Sequence, residues 1–378
     1  MKVSRAIYIL ISALLIILLI PWVRDLLQGK GMRWLYILLL SSSFTFLLTP
    51  LVRRMATGYG VLDIPDARKL HLSPIPLLGG VGIFASFLIS IYLNGIFSRE
   101  FVGVILSASL VFLSGLWDDM RGLSSLFRFF VQCLAVIILL SFGVSVIMFR
   151  PEGIGLVLNG MITVVWIVGV TNSMNFFDGM DGLATGLSML IAFFLGVVAF
   201  QTNQPFLGWF AITVFGSCLG FLPYNFRPGG ATIFLGDSGS NLLGFTLASL
   251  AVMGEWSERN LVASLATPLL IFSVLIYDRV YITVNRFLAG KVKTLKEWLD
   301  YVGNDHLHHR MEAILLGRGK SVLFIYLLSF TLGINALVLR DASSVEAWLL
   351  LLQATAILIV VTILEVAANR HERRKGYK

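Results

Sequence analysis

Two adjacent carboxylates, Asp118 and Asp119, follow an apolar run over residues 101–117. Keeping both charged in a low-dielectric setting is costly unless a cation or hydrogen-bond donors compensate. A divalent metal ion, or a substrate that brings one, is the natural compensation. A solvated turn would explain a lone acidic pair equally well, so the pair indicates a site only together with other motifs.

A second motif places four Asx side chains three residues apart, at Asn172, Asn175, Asp178 and Asp181. On a helical backbone this spacing drifts slowly around one face, and the glycines that follow the two aspartates permit a turn and close approach of a ligand. Amide and carboxylate oxygens can bind a hard cation or hydrogen-bond a sugar and a nucleoside. Helix caps and Asx-turns are the alternative, which four residues in register disfavour.

A third motif, Gly-Asp-Ser-Gly-Ser from Gly236 to Ser240, introduces an apolar run over 239–254. Asp237 is predicted at or before a helix N-terminus, where free amides and the helix dipole favour oxyanions. Asp237 can hold a metal ion, and the small residues around it, Gly236 and Ser238 among them, can offer amides or hydroxyls to phosphate. A plain helix cap explains Asp237 alone but not the cluster of small residues.

Three of the five histidines fall within one short segment, as His306, His308 and His309, and Arg310 follows them. A zinc site would need Cys/His ligands at a looser spacing or an HExxH helix, and neither occurs. Histidine and arginine are better suited here to phosphate. A chance exposed histidine cluster is the alternative.

A basic segment containing Lys69 and His71 leads through a Pro-x-Pro turn into Gly79 and Gly80. Its charge can be purely topological, but the stiff turn favours the positioning of a ligand. Across all five motifs there is no Ser/His/Asp or Cys/His nucleophile arrangement. Carboxylates, amides and cations without a nucleophile fit metal-assisted phosphoryl transfer, in which the protein mainly positions groups and stabilises charge.

The elements that must position these motifs are membrane helices. Of the 378 residues 57% are hydrophobic and 13% charged, against about 45–50% and about 25% in soluble domains. This excludes a soluble globular enzyme, a disulfide scaffold and a disordered chain, and it predicts an all-α polytopic helical bundle of about 11–12 transmembrane helices. The apolar runs are 6–23, 34–52, 79–97, 101–117, 126–148, 153–171, 182–200, 206–222, 239–254, 260–278, 321–339 and 345–366.

The positive charges predict the orientation. With both termini in the cytoplasm, 22 of the 29 Lys and Arg residues lie on the inner side and 7 on the outer side, as the positive-inside rule requires. The longer inner loops also carry nearly all the polar motifs, which predicts a site at the cytoplasmic face of the cell membrane. The net charge of +8 is therefore explained without a nucleic-acid partner.

The spans and motifs together suggest three segments. Residues 1–33 form an additional N-terminal helix and outer turn, 34–320 form the catalytic membrane domain, and 321–378 contribute two helices and a basic cytoplasmic tail. The first helix is predicted to be retained, because no small-residue cleavage site precedes Arg24; a cleaved signal peptide is the alternative.

Over about residues 36–320 the motifs resemble those of the polyprenyl-phosphate N-acetylhexosamine-1-phosphate transferases, membrane glycosyltransferase family 4. The resemblance rests on Asp118-Asp119, the run from Asn175 to Ala184, the Gly236–Ser240 segment and the run from His306 to Arg310. It implies transfer of a UDP-activated N-acetylhexosamine-1-phosphate to undecaprenyl phosphate, release of UMP, and Mg²⁺ or Mn²⁺ at a cytoplasm-facing site. A homodimer is compatible with it but not specified by it.

Roles follow as expectations within that resemblance. Asp237 is expected to hold the metal with Asn175 or Asp119 assisting, while Asp118 and Asp119 orient or deprotonate the lipid phosphate. Asn172, Asp178, Asp181 and the His306–Arg310 loop are expected to bind the nucleotide and the sugar phosphate. The lipid headgroup is expected to be bound by Lys69, Arg121 and Arg128.

The sequence also departs from the family pattern. Gly303 and Asn304 stand where relatives that use simple UDP-N-acetylhexosamines commonly carry Asp and a basic residue, and Arg128 stands where many carry Lys. These departures leave the choice of sugar open, and the peptidoglycan branch is disfavoured.

Three other classes compete with a transferase. A secondary transporter would place ionisable residues at the bilayer midplane in two related halves, whereas here the acids lie at cytoplasmic helix ends. A lipid-diphosphate hydrolase would use similar acids and differs only in its products. A purely structural membrane protein would not need five polar motifs on one side.

Overall fold

The computed structural model describes residues 4–65, 73–257, 260–294, 297, 303, 305–339 and 342–375, with side chains described as far as residue 367. Within this part of the chain the dominant element is the α-helix, as predicted. The helices are α1 Arg5–Leu18, α2 Pro21–Gly29, α3 Arg33–Gly58, α4 Gly79–Asn94, α5 Arg99–Arg121, α6 Ser125–Ser141, α7 Ile154–Phe177, α8 Leu183–Gln201, α9 Pro205–Asn225, α10 Gly236–Met253, α11 Leu261–Ile271, α12 Ser273–Leu288, α13 Leu307–Leu315, α14 Arg318–Val338 and α15 Ser344–Lys375.

Sheet structure among the described residues is limited to two short antiparallel strands, β1 Leu62–Asp63 and β2 Ile75–Pro76. Leu62 pairs with Pro76, and Asp63 pairs with Ile75. All twelve predicted apolar runs fall on helices, which confirms the all-α membrane class.

Within the described residues, seven helices are long and apolar enough to cross a membrane, namely α3, α5, α7, α8, α9, α14 and α15. The apolar runs 6–23 and 260–278 each cover parts of two helices that meet at a bend of 76°, α1 and α2 in the first run and α11 and α12 in the second. Pro21 begins α2 and lacks the amide hydrogen that a continuous helix would need. Hydropathy conceals both bends because it reports composition and not backbone direction.

The described helices form two compact units. The first comprises residues 1–196 and 204–254, and the second comprises 197–203 and 255–378. The functional segments with boundaries at 33 and 320 stay a prediction, since compactness does not by itself delimit a catalytic region.

Helix α10 is the central element of the first unit and packs against α4, α5 and α7. All but one of the residues from Gly236 to Ala251 are buried, as expected of a helix enclosed on every side. Glycines on the neighbouring helices permit the close approach. A Cβ on Gly80 of α4 would lie 2.4 Å from Gly239 N, and one on Gly115 of α5 would lie 2.7 Å from the Asp237 carbonyl oxygen.

Backbone hydrogen bonds fix the start of α10 as well. The amides of Gly79 and Gly80, at the start of α4, donate to the carbonyls of Phe234 and Leu235, both at 2.9 Å. The loop that leads into the third polar motif is thereby attached to α4.

In the second unit, α11 packs against α14 and α15, and α13 packs against the same two helices. Helix α13 begins at Leu307 and carries most of the histidine motif.

Candidate active site

The N-terminus of α10 is held by Asp119. Its Oδ1 accepts the Asp237 amide at 2.7 Å and its Oδ2 accepts the Ser238 amide at 3.1 Å. Gly236 has φ +78°, and a Cβ there would lie 2.7 Å from Asp119 Oδ2. The predicted helix N-terminus is therefore present, and free amides at its start are taken by a protein carboxylate.

The Asp237 side chain joins three segments of the chain. Its Oδ1 accepts from Asn175 Nδ2, which also donates to Ser240 Oγ at 2.9 Å. Its Oδ2 lies 3.3 Å from Arg128 Nη1, which lies 2.8 Å from Asp118 Oδ2. One guanidinium thus bridges two carboxylates that are more than a hundred residues apart in sequence.

Asp178, which follows the end of α7, belongs to the same cluster. Burial raises the pKa of its carboxyl well above the usual range, and the nearby carboxylates of Asp237, Asp119 and Asp181 raise it further. The backbone amide of Gly236 opposes this rise by donating to it. Four aspartates from three segments therefore share one electrostatic environment.

Asp181 fixes the loop that precedes α10, because its Oδ2 accepts the Ala231 amide at 2.7 Å. Next to it, the buried amide of Asn225 accepts from Gly182 N at 3.1 Å and from Thr185 Oγ1 at 2.9 Å, and it donates to the Ile233 carbonyl. Sequence reasoning missed Asn225. An amide residue close to the end of an apolar run was the available signal.

A chain of side-chain amides runs behind the acidic cluster. Asn172 Nδ2 donates to Gln132 Oε1 at 2.6 Å, Gln132 Nε2 donates to Asn241 Oδ1 at 3.2 Å, and Asn241 Nδ2 donates to the Asp237 carbonyl at 2.7 Å. Sequence reasoning also missed Gln132 and Asn241, which are polar residues within apolar helices. For Asn172 these contacts favour a positioning role over direct contact with substrate.

The other residues predicted for substrate binding differ in placement. Gly236 and Ser238 lie at the start of α10, where both amides donate to aspartates. Arg121 is exposed and lies 5.7 Å from the ring centre of Trp117. Lys69 and His71 lie outside the described residues.

The donor set of the first unit fits a hard divalent cation. Asp237 and Asn175 offer oxygen ligands of the kind that Mg²⁺ and Mn²⁺ prefer, and the carboxylates of Asp118 and Asp237 share the guanidinium of Arg128. Among the described residues no three His, Cys, Asp or Glu side chains are placed to hold an ion by themselves. Mg²⁺ usually takes one or two carboxylates and completes its shell with water and substrate phosphates.

The histidine motif in the second unit is arranged around Asp278. Asp278 Oδ1 accepts the Leu307 amide at 2.6 Å and lies 3.3 Å from Arg310 Nη2, while Oδ2 lies 2.8 Å from His306 Nδ1. Asp278 thereby caps the start of α13. Asp278 belongs to none of the five sequence motifs, although an acid within an apolar run was a usable signal.

Two further observations show that the histidine motif is packed into the protein. The carboxylate of Asp305 receives both Nε and Nη2 of the buried Arg286, at 2.9 and 2.6 Å, and this pairing holds the pKa of Asp305 below its usual range. Burial lowers the pKa of His308 well below 6.5 and also lowers the pKa of His309. The motif is therefore a built cluster and not a set of exposed histidines.

The fold and the site of the first unit together define a class of protein. It is a polytopic helical membrane protein with a cluster of carboxylate and amide side chains at the start of a buried helix. Residues 101–255 match the family model described as glycosyl transferase family 4. The chain is 32% identical to a probable undecaprenyl-phosphate N-acetylglucosaminyl 1-phosphate transferase of Bacillus subtilis, over 93% of this chain and 97% of that protein. The chain belongs to the polyprenyl-phosphate N-acetylhexosamine-1-phosphate transferase family.

Two more relatives are similar over most of the chain. A decaprenyl-phosphate N-acetylglucosaminephosphotransferase of Mycolicibacterium smegmatis is 31% identical, covering 76% of this chain and 78% of its own length. An undecaprenyl-phosphate alpha-N-acetylglucosaminyl 1-phosphate transferase of Thermotoga maritima is 32% identical, covering 78% of this chain and 86% of its own. The matched region of the family model contains Asp118, Asp119, the Asx series and Asp237.

Proposed function

We propose that this protein transfers N-acetylglucosamine-1-phosphate from UDP-N-acetylglucosamine to undecaprenyl phosphate and releases UMP. The three relatives named above support the sugar and the polyprenyl acceptor. The observation that carries the proposal is the convergence of Asp118, Asp119, Asp178 and Asp237 with Arg128 and Asn175. That set has the charge and the oxygen ligands that phosphoryl transfer needs.

In the proposed reaction, a phosphate oxygen of the lipid attacks the β-phosphorus of the UDP-sugar, and the bond from that phosphorus to the UMP oxygen breaks. A phosphate monoester has a second pKa near 6, so the lipid phosphate needs little help from a general base. Arg128, with its side chain 28% exposed, can attract the lipid phosphate while Asp118 fixes the guanidinium. Orientation is then the main task of these two residues.

Asp237 and Asn175 would hold Mg²⁺ or Mn²⁺, which when bound supplies positive charge to the diphosphate. Asp119 positions Asp237 by fixing the start of α10, and Asp181 positions the loop before it. Asp178, with its raised pKa, can donate a hydrogen bond to substrate when it is protonated. We also propose that the histidine segment, residues 306–310, takes part in binding the UDP-sugar.

We further propose that the site and both termini face the cytoplasm in the cell membrane. The support is the excess of Lys and Arg in the inner loops, 22 against 7. The homodimer stays a prediction.

One assay tests the reaction. Purified protein is incubated with undecaprenyl phosphate and a panel of UDP-sugars, and both the nucleotide and the lipid product are identified by mass. We expect UMP and undecaprenyl-diphosphate-N-acetylglucosamine, formed only when the lipid and the UDP-sugar are both present. Inorganic phosphate without a lipid-linked sugar would instead indicate a hydrolase, and product from a different UDP-sugar would correct the donor.

A further inference from the structure

Helix α15 buries the carboxylate of Glu365 within an apolar span that is otherwise mostly exposed. Only 17% of its apolar window over Ser344–Ala367 is buried, and the neighbours Ile363 and Leu364 are exposed. Glu365, by contrast, is 1% exposed. A buried acid in an otherwise apolar span is costly to maintain, which marks such a residue as functional when its partner is identified.

The partner of Glu365 is the arginine of the histidine segment. Arg310 Nη1 lies 3.0 Å from Glu365 Oε2, Arg310 Nη2 lies 3.3 Å from Asp278 Oδ1, and the guanidinium lies 4.0 Å from the ring centre of Tyr281. The guanidinium is therefore placed between two carboxylates and against an aromatic face. Within the described residues, Arg310 Nε is buried and has no hydrogen-bond partner.

Asp278 serves three groups at once, whereas Glu365 pairs with Arg310. Asp278 also receives the Leu307 amide and lies 2.8 Å from His306 Nδ1. Without Glu365, Asp278 would be the main counter-charge for Arg310 as well as the cap of α13. A shift of Arg310 toward Asp278 would then disturb the contacts that fix His306 and Leu307.

We propose that Glu365 is a positioning residue: through Arg310 it fixes the histidine segment in the arrangement that binds the sugar nucleotide. Two carboxylates already neutralise Arg310, so the geometry favours a positioning role for this arginine. The last part of the inference, binding of the sugar nucleotide, rests on the proposed function. The positional part does not.

The positional part is tested by chemical modification of His308, which is 1% exposed. Full-length protein in detergent is treated with diethyl pyrocarbonate without substrate, and the modified peptide is quantified by mass spectrometry. We expect E365Q to raise the modification rate of His308 by about tenfold, since a buried arginine loses its partner. An unchanged rate would overturn the inference, whatever the enzyme assay shows.

A matched control separates this effect from loosening of α15 as a whole. Thr362 lies one turn before Glu365, and its hydroxyl is hydrogen-bonded to Tyr277 OH at 2.7 Å. T362V removes that contact between α15 and α12 but keeps Glu365, so we expect a rate close to wild type. An equal rise in the modification rate of His308 in T362V and E365Q would show that any contact that holds α15 in place has the same effect. That result would overturn the inference. If E365Q does not fold, R310K serves instead, because lysine cannot reach both carboxylates as a fork.

The second readout is kinetic and uses the proposed reaction. We expect E365Q to raise the KM for UDP-N-acetylglucosamine by about tenfold while the KM for undecaprenyl phosphate stays unchanged, and E365D to lie closer to wild type. In the R310Q background, E365Q should add no further loss, because its effect passes through Arg310. The inference would be overturned if the losses from E365Q and R310Q multiplied in the double variant. An equal rise in the KM values for UDP-N-acetylglucosamine and undecaprenyl phosphate would also overturn it. A wild-type protein without UMP release would refute the proposed function, while the modification test still decides the positional claim.

Discussion

The aspartates of the acidic cluster are chemically alike, but their contacts give them different tasks. Both oxygens of Asp119 accept backbone amides at the start of α10, so this residue holds a helix in place. Asp237 is 34% exposed, and its carboxylate contacts the side chains of Asn175 and Arg128. Asp237 is therefore the carboxylate best placed to meet a ligand.

Replacing Asp237 with asparagine should lower UMP release by at least about a hundredfold, because a charged ligand in the reaction centre is lost. Membrane insertion should not change, since the side chain keeps its size. UMP release in purified, monodisperse protein measures this. Asp25→Asn is the matched control, because Asp25 is exposed, pairs with the adjacent Arg24 and is far in sequence from the residues of the site. Near-normal turnover of D237N would reject its proposed role.

His308 should make stability depend on pH. Burial, followed by the charges of His309, His306 and Arg310, lowers its pKa in the folded protein well below 6.5. As pH falls below 6.5, His308 takes up a proton in the unfolded chain but stays neutral in the folded chain. The free energy of unfolding therefore decreases as pH falls, by up to about 1.4 kcal/mol per pH unit.

Wild type should accordingly lose more apparent Tm than His308→Gln between pH 7 and pH 5.5. Thermal unfolding of both proteins in the same detergent measures the difference, and the comparison cancels the other titrating groups. Parallel pH profiles would contradict a buried, neutral His308.

Among the elements, α10 is packed closely by its neighbours at its first turn. Gly115 of α5 packs directly on its first turn, where an added Cβ would lie 2.7 Å from the Asp237 carbonyl oxygen and 2.7 Å from Ser238 Cα. Because those atoms belong to the backbone, they cannot move aside as a flexible side chain would. The position of Asp237 thus depends on a glycine in another helix.

Gly115→Ala should destabilise the protein by about 1–3 kcal/mol, as overpacking does, and should lower UMP release as the start of α10 shifts. Gly169→Ala in α7 is the matched control, because a Cβ there meets nothing within 4 Å and alanine favours a helix. Apparent Tm and UMP release are measured for both. Equal behaviour of the two variants would contradict close packing between α5 and α10.

The same elements show what local sequence can predict. The Asx spacing and the Gly-Asp-Ser-Gly-Ser segment identified Asn175, Asp178 and Asp237 because each motif is contiguous. Gln132 and Asn225 were missed because their partners are tens of residues away in sequence, and only the packing of helices brings them together. The bends between α1 and α2 and between α11 and α12 were missed because both runs are uniformly apolar.

At the scale of the whole molecule, hydropathy predicted the class and most helix positions, since lipid leaves few alternatives to a helix. It did not predict that the histidine motif is assembled around Asp278, Arg286 and Glu365, because isolated charges in apolar runs carry no spacing signal. Composition therefore predicts the architecture, while the pairing of buried charges needs the structure.

The charge distribution makes the proposed orientation testable in intact cells. In a background without Cys133 and Cys218, a cysteine at exposed Glu152 should react with a membrane-impermeant maleimide from outside. A cysteine at exposed Lys293 should react only after the membrane is permeabilised. The reverse pattern would show the opposite orientation.

The central claim is that side chains from α5, the α7–α8 region and α10 form one acidic site for a divalent cation and a diphosphate. Binding of Mn²⁺ to the purified protein, followed by electron paramagnetic resonance, tests it most directly. We predict one Mn²⁺ per chain in wild type and in D25N, and loss of that site in D237N and Asn175→Ala. Unchanged Mn²⁺ binding in both site variants would contradict the claim.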